Sequence, residues 1–536
     1  MSDVIKNPCD AGVIQGRPAT VTAPAETGTW VLAATILGSS MVFINGSTVN
    51  VALPALQANL GATVIDIQWI VNAYSLFLAS LILLGGSLGD HLGRRRIFLI
   101  GVAIFAAASI WCGLAATADM LIVARAVQGI GGALLTPGSL AIISATFGDE
   151  ERGQAIGLWA GFSALTSALG PLLGGWLIDT FSWRWIFFLH LPLAAIVLVL
   201  SWWRVPESRD EQAVAGLDWW GALFVTLGLS GVVYGLIESS TRSFADPIVL
   251  TALIAGVTLL ALFVVVEARS EAPMIPLELF RSWTFSGANG LTLLLYMALS
   301  GILFFLPMNL IQVQGYSATA AGAALLPTIL LLSLLSSWSG GLVKRVGARL
   351  LLVIGPAVAA VGFFLFSLPG VGGSYWTTFF PATVVLGLGM AISVAPLTTA
   401  VMSAVPAHYA GTASGINNAA ARVATLLAVA LLGIVMLQSF SHHLNELLAT
   451  LALPAEARAM IIERRADLAN LQPPASLNPE LVTPVERAVA EAFVAGFRLV
   501  AYLTAALALA SAAIAWFTIE TDVILESDLA QDTEFG

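Results

Sequence analysis

Long apolar runs separated by short polar segments dominate the chain from residue 30 to residue 517. Many runs have about 20 residues, the length that an α-helix needs to cross the hydrocarbon core of a bilayer. The pattern therefore predicts an all-α polytopic membrane protein with fourteen transmembrane helices. The runs lie at roughly 30–53, 67–88, 97–117, 121–145, 152–178, 184–204, 217–237, 247–267, 285–312, 318–342, 349–369, 377–403, 409–437 and 492–517.

Three polar segments lie outside these runs. Residues 1–29 are rich in Pro, Thr and Ala and lack the ordered regions of a cleavable signal peptide, so we expect a disordered cytoplasmic tail. Residues 518–536 form a second expected cytoplasmic tail. Residues 438–491 are charged and amphipathic with Pro-containing breaks, and they predict a helical hairpin outside the bilayer.

The basic residues predict which side each connection faces. Lys and Arg resist translocation and therefore concentrate in cytoplasmic loops. The short loops of one side contain only Arg184 and Arg242, so we expect a multi-pass protein of the cell inner membrane with both termini in the cytoplasm. The opposite side holds Lys6, Arg17, Arg94, Arg95, Arg96, Arg152, Arg204, Arg209, Arg269, Arg281, Lys344, Arg345 and Arg349.

An internal repeat divides the chain. It predicts an N-terminal six-helix half at 30–204, two inserted helices within 205–270, and a C-terminal six-helix half at 271–517. Repeats of this kind place a substrate site between the halves near the bilayer midplane. Counterparts at nearly constant spacing are Gly86 and Gly340, Gly93 and Gly347, Arg95 and Arg349, Leu53-Pro54 and Leu306-Pro307, Gly129 and Gly387, and Gly131 and Gly389.

Composition agrees with a membrane protein and excludes several function classes. The chain has 536 residues, of which 58% are hydrophobic and 10% charged, whereas soluble domains are nearer a quarter charged. A net charge of −10 gives no basic footprint for nucleic acid. Cys9 and Cys112 make no disulfide framework, and the His and Cys residues lack metal-ligand spacing. Without a Walker-type loop or a catalytic constellation, we expect neither an enzyme nor an ATP-driven pump.

The stretch 85–101 carries a basic loop between the second and third runs. Its Gly86, Asp90, Gly93, Arg94 and Arg95 resemble the loop signature of the major facilitator superfamily. The resemblance implies that fold, and a latch in which the Asp engages a helix N-terminus of the other half when the outside is open. The alternative is that these residues only determine topology. His91 departs from the Arg or Lys that is usual in the family.

The fifth run contains a second signature, in which small residues permit close helix approach and Pro bends the helix. It resembles the antiporter motif of the family's drug exporters, and the resemblance implies export rather than import. Generic tight packing is the alternative. The residues of this motif are Gly161, Gly170, Pro171, Gly174 and Gly175.

Arg125 lies inside the fourth run, where a buried charge is costly and usually functional. Together with Gln128 and Gly129 it resembles a family motif linked to proton coupling in exporters. The alternative is an Arg that extends to the outer interface. The resemblance makes Arg125 a candidate for proton coupling or for the polar part of a substrate cavity.

Asn45 and Asn72 occupy positions where many fourteen-helix drug:proton antiporters carry acids. An Asn side chain forms hydrogen bonds but does not titrate. These two residues join the predicted polar cavity, and Asp66 and Glu238 are the candidate proton sites. Each of the two acids also has an alternative interpretation as a solvated group at the interface.

Arg422 lies near the middle of the thirteenth run, which contains no acid. It is a candidate for binding anionic or zwitterionic molecules, and a structural role at a helix break is equally open. Tyr74 and Tyr296 complete the predicted substrate cavity, since both lie in runs expected to line it.

Nearly the whole chain resembles the fourteen-helix drug:proton antiporter family. The resemblance implies a secondary exporter of amphipathic small molecules that is coupled to proton influx by alternating access, with no cofactor except the proton as coupling ion. Two alternatives stay open: a lipid or siderophore-like metabolite exporter with weak or no proton coupling, and a non-transporting membrane scaffold or sensor. The expected partners are the small-molecule substrate, membrane lipids and, for the hairpin, a periplasmic adaptor protein; we expect a monomer.

Overall fold

The structure, a computed structural model, describes residues 25–209, 217–270, 273–406 and 409–520. Its secondary structure in these ranges is helical, and fourteen of the described helices are long and apolar enough to cross a membrane. This confirms the predicted fold class. Residues 1–24 and 521–536, which are most of the predicted tails 1–29 and 518–536, lie outside the described residues.

The long helices are numbered α1 to α14 in chain order. They are α1 Ala25–Leu60, α2 Val64–Leu92, α3 Arg94–Gly113, α4 Ala118–Thr146, α5 Asp149–Thr180, α6 His190–Arg204 with the preceding turn Trp185–Phe188, α7 Trp219–Arg242, α8 Pro247–Arg269, α9 Trp283–Met308, α10 Ala318–Ala324 continued by Leu326–Val346, α11 Ala348–Leu365, α12 Phe380–Ser403, α13 Ala410–Thr450 and α14 Pro479–Thr518. We call the end of the bundle that holds Asp90 and Arg94 the motif face. The opposite end, where residues 451–478 connect α13 to α14, is the hairpin face.

Glycine positions show that the two halves pack alike. A Cβ on Gly129 of α4 would collide with the carbonyl of Tyr74 on α2, and a Cβ on Gly387 of α12 would collide with Thr328 on α10. Glycine therefore lets α4 approach α2 as closely as α12 approaches α10. The repeat thus extends from the sequence to the helix contacts.

The inserted helices α7 and α8 pack mainly on each other, and α7 also packs on α2 and α13. Its buried Leu229 and Val233 share an apolar cluster with Leu76 of α2 and Leu426 of α13. Few residues of α8 are buried, so this helix lies at the outside of the bundle. The insert therefore covers the contact between α2 and α13 from one side.

The segment 438–491, predicted as a helical hairpin outside the bilayer, begins and ends in helices that continue the flanking spans. α13 continues to Thr450 and α14 begins at Pro479. With 41 and 40 residues, each helix is about 60 Å long, twice the roughly 30 Å of a hydrocarbon core. Buried Leu444 and Val485 continue the apolar stripe into the extensions, so both helices persist after their sequences turn polar. The hairpin is thus built on extended spans.

The two halves meet along two seams, α5 with α10 and α2 with α13. Near the hairpin face, a Cβ on Gly175 of α5 would collide with the carbonyl of Ala318, and one on Gly322 of α10 would collide with that of Pro171. Towards the motif face, an added Cβ at Gly161 of α5 would meet nothing within 4 Å. The halves are therefore closed at the hairpin face, and α5 and α10 diverge towards the motif face.

Replacement of Gly175 by Val should hold this seam apart, because the new side chain overlaps the backbone of α10. We expect a longer distance across the hairpin face, measured between spin labels at the exposed positions Phe181 and Ser374 in a chain without native cysteines. Gly161→Val is the matched control on the same helix, since its site is open. Equal distances in both variants would contradict the assigned seam.

Candidate functional site

Arg125 is 2% exposed and organises a polar cluster among α1, α2 and α4. Its Nε donates to the carbonyl of Ile70 at 3.1 Å. Its Nη1 donates to Asn45 Oδ1 at 3.0 Å and to Gln128 Oε1 at 2.6 Å. The guanidinium lies 4.2 Å from the centre of the Tyr74 ring. These contacts point into the bundle, which does not match an Arg that extends to the interface.

The hydrogen-bond acceptors of Arg125 among the described residues are all neutral. Two side-chain amides, a backbone carbonyl and an aromatic face replace the water that the guanidinium loses, but none of them cancels its charge. Gln128 extends the hydrogen-bond network to α3, since its Nε2 donates to Ser109 Oγ at 2.8 Å. The cluster therefore keeps a solvated positive charge in the apolar part of the protein.

Several buried polar atoms near this depth have no hydrogen-bond partner among the described residues. They include Asn45 Nδ2, the Tyr74 hydroxyl, both polar atoms of the Asn72 side chain, and His190 Nε2. Buried polar groups are normally satisfied, so such a concentration marks a place where water or a ligand completes the structure. Sequence reasoning predicted Asn45, Asn72 and Tyr74 for this region.

Asp66 and Glu238, the predicted proton sites, lie outside the cluster. Asp66 forms a capping box at the start of α2, where its Oδ2 accepts from Thr63 N at 2.8 Å. Glu238 pairs with Arg242 at 3.1 Å at the end of α7. Both stabilise helix ends at the hairpin face, so neither is brought to Arg125.

Arg422 of α13 is partly exposed and has no hydrogen-bond or ion-pair partner within the described part of the chain. About one turn to either side of Arg422, Asn417 Nδ2 donates to Thr292 Oγ1 at 2.6 Å and Thr425 Oγ1 lies 2.9 Å from Ser300 Oγ, so this part of α13 packs on the part of α9 that holds Tyr296. Tyr74 lies on α2, which packs on α13 from the other half. The predicted cavity residues Tyr74, Tyr296 and Arg422 therefore lie on three helices that meet at α13.

The five residues of the antiporter motif divide among three environments. Gly170 and Gly174 face Ser47 and Thr48 of α1, and the Thr48 hydroxyl donates to the Gly170 carbonyl at 3.1 Å. Gly175 and the Pro171 carbonyl face α10, whereas Gly161 faces open space. The motif therefore lets α5 fit between α1 and α10.

At the motif face, Asp90 pairs with Arg94 at 2.8 Å, and the described contacts of Asp90 stay within its own half. The backbone amides of Arg95 and Arg96 donate to the Glu207 carboxylate at 3.0 and 3.2 Å. Gly93 has φ +110°, and a side chain there would collide with Glu207. Glu207 thus caps α3, a role that the sequence did not signal.

Asp179 at the end of α5 joins the halves across the hairpin face. Its Oδ1 accepts from Ala318 N at 3.1 Å, and its Oδ2 accepts from Thr319 N at 2.8 Å and Thr319 Oγ1 at 2.6 Å. A carboxylate on the first amides of α10 is favoured by the helix dipole. The contact is a latch between the halves, and sequence reasoning missed it because the two partners are far apart in sequence.

Asp179→Asn should weaken this latch, because the charge–dipole attraction and one acceptor are lost. We expect the population with an open hairpin face to rise by about threefold to tenfold, given the typical strength of such interactions. The Phe181–Ser374 label distance measures it. The control is Asp246→Asn, since Asp246 caps the inserted helix α8 by accepting from Ile248 N at 2.8 Å and its described hydrogen bonds stay within that helix. An equal rise in the control would contradict the latch.

Comparisons with known proteins agree with this architecture. The sequence profile of the Major Facilitator Superfamily matches residues 35–429. The multidrug resistance protein Stp of Mycobacterium tuberculosis is 35% identical over 445 residues, 82% of this chain and 81% of that protein. The tetracenomycin C resistance and export protein of Streptomyces glaucescens is 32% identical over 91% of each chain.

Among solved structures, a bacterial homolog of the human lysosomal transporter Spinster, in an inward-facing and unoccupied conformation, matches with a TM-score of 0.60 and 18% identity. The match covers 93% of this chain and 99% of that one. At 18% identity this match supports the fold alone. The profile match and the resistance relatives show that this chain belongs to the Major Facilitator Superfamily.

Proposed function

We propose that the protein exports amphipathic small molecules across the cytoplasmic membrane by alternating access, coupled to proton influx. The observation that carries this proposal is the asymmetry of the seams. α5 and α10 are latched at the hairpin face by Asp179 and diverge towards the motif face, where Asp90 makes no hydrogen bond or ion pair with the other half among the described residues. This seam is closed at one end and open at the other.

The direction of transport is supported by the relatives and by the membrane orientation. The relatives from Mycobacterium tuberculosis and Streptomyces glaucescens are named for multidrug resistance and for tetracenomycin C resistance and export, and one of Salmonella typhimurium is named methyl viologen resistance protein SmvA. The basic connections lie at the motif face, which the positive-inside rule assigns to the cytoplasm. The structure then corresponds to the state that accepts substrate from inside.

Export would proceed by exchanging one latch for another. Substrate bound between the halves favours their approach at the motif face, where Asp90 would engage the second half. Asp179 then releases α10, and the hairpin face opens. Transport requires that substrate and proton bind the two states with different affinity, since a ligand without differential affinity shifts no equilibrium.

We assign proton coupling to His190. It is fully buried at the start of α6 and leaves Nε2 without a hydrogen-bond partner among the described residues, while its Nδ1 bonds the Phe187 carbonyl at 3.1 Å. Its ring packs on Phe105, one turn from Ser109, which accepts from Gln128 of the Arg125 cluster at 2.8 Å. With Nδ1 occupied as donor, Nε2 is the nitrogen that accepts a proton. The imidazolium would repel the Arg125 guanidinium, which ties protonation to the cluster at the centre of α1, α2 and α4.

Proteoliposomes with an acidic interior and a trapped pH dye test this proposal. Substrate-dependent proton release is expected with the wild-type protein and absent with Arg125→Ala or His190→Asn. Arg125→Lys, which retains the charge, controls for misfolding. His442→Asn controls for loss of a histidine, because His442 is exposed at the hairpin face. Proton release that persists in His190→Asn would contradict the assignment of that residue.

A second candidate, export with weak or no proton coupling, is favoured by one observation. Carboxylates on the described spans lie within about two turns of the helix ends, apart from those on the extensions of α13 and α14. A transporter of this kind would move substrate in the same liposomes and leave the pH gradient unchanged. The proton measurement therefore separates the two candidates.

In cells, Arg125→Ala and Asp90→Asn should both abolish growth protection against a transported drug. The first removes the centre of the polar cluster, and the second removes the carboxylate for the closed motif face. Arg242→Gln, at an exposed pair, should retain protection. Protein levels must match the wild type. Full protection by both variants would contradict these roles. If Arg125→Ala only lowers the protein level, the result would favour the alternative of a non-transporting membrane scaffold.

A further inference from the structure

The charges at mid-depth of the bundle are all positive in the described spans. Arg125 lies about two turns inside α4, and Arg422 lies about three turns inside α13. The nearest carboxylates along these two helices are Asp119, at the start of α4, and Glu446, on the extension of α13. Charges inside a membrane are normally paired with an opposite charge. Among the described residues, this pair of arginines therefore has no carboxylate as counter-ion.

The two arginines are not equivalent. Arg125 is 2% exposed and is satisfied by neutral acceptors on α1, α2 and α4. Arg422 is partly exposed, and its guanidinium has no hydrogen-bond acceptor among the described residues. Arg125 is therefore a fixed part of the wall, and Arg422 is the group with donors to offer to a ligand.

Tyr74 and Tyr296 define where such a ligand would lie. Tyr296 lies on the stretch of α9 that bonds α13 on both sides of Arg422, through Thr292 with Asn417 at 2.6 Å and Ser300 with Thr425 at 2.9 Å. Tyr74 lies on α2, which packs on α13 from the other half. Tyr74 is 3% exposed, and its hydroxyl has no hydrogen-bond partner within the described ranges. A buried hydroxyl without a partner, on a ring whose centre lies 4.2 Å from the Arg125 guanidinium, is an open donor for an anionic oxygen.

We propose that the substrates of this transporter are anionic amphiphiles, whose acidic group binds between Arg422 and the hydroxyls of Tyr74 and Tyr296 while the apolar body packs against the surrounding helices. This inference rests on the proposed function and narrows its substrate class. An anion supplies the negative charge that the protein lacks at this depth. A lipophilic cation would meet two like charges without a carboxylate to compensate them.

Two probes that share a skeleton test the inference. 8-Anilinonaphthalene-1-sulfonate is anionic, and N-phenyl-1-naphthylamine is its neutral counterpart without the sulfonate. Each is titrated by fluorescence into the full-length protein in phosphatidylcholine nanodiscs, with empty nanodiscs as background. We expect the sulfonate to bind at least about tenfold more weakly to Arg422→Gln than to wild type, since truncation of one partner of a buried charge pair is costly. Binding of the neutral probe should be unchanged.

Two variants complete the test. Arg422→Lys keeps the charge and should retain most of the sulfonate binding. Arg242→Gln removes an exposed positive charge at the hairpin face and should leave both affinities unchanged. Equal sulfonate binding by Arg422→Gln and wild type overturns the inference. Binding of the neutral probe alone also overturns it and leaves the proposed function standing, whereas binding of neither probe to wild type overturns both.

Discussion

A guanidinium held in an apolar bundle must be solvated by the protein itself, and the centre of this structure is arranged around that requirement. Three helices each contribute to Arg125: α1 an amide oxygen, α2 a backbone carbonyl and an aromatic face, and α4 a second amide. Removal of the charge would leave those acceptors unsatisfied at once. The same group that gives the N-terminal half its polar centre therefore also fixes the relative positions of its helices.

Close helix approach is the second constraint. In a membrane, helix association depends on packing, so small residues determine where backbones touch. Gly170 and Gly174 fit α5 against α1, and Gly175 with Gly322 fits α5 against α10. The first pair belongs to the interior of one half and the second to a contact between halves. One short sequence thus combines a permanent contact with one that must break during transport.

Much of the fold follows from the sequence, because apolar length, the basic loops and the repeat all report on the membrane. The fourteen helices and the cluster of Arg125, Asn45 and Tyr74 belong to this part. The roles of Asp179 and Glu207 could not be predicted from the sequence. Each carboxylate binds backbone amides of a distant helix, and nearly every residue type has such an amide. The sequence predicts Asp66 and Glu238 as proton sites because both are acids near the ends of spans. In the structure, Asp66 caps the start of α2 and Glu238 pairs with Arg242 at the end of α7.

The extension of α13 gives the protein a lever outside the membrane. A straight helix from Arg422 to Thr450 is about 42 Å long, so a tilt of ten degrees at mid-depth displaces its far end by roughly 7 Å. The connection beyond that end lies against α1, where Gln57 Nε2 donates to the carbonyl of Asp467 at 2.8 Å. Rearrangement between the halves would therefore be amplified on the surface. A binder raised against residues 451–478 would distinguish the states of the transporter without entering its interior.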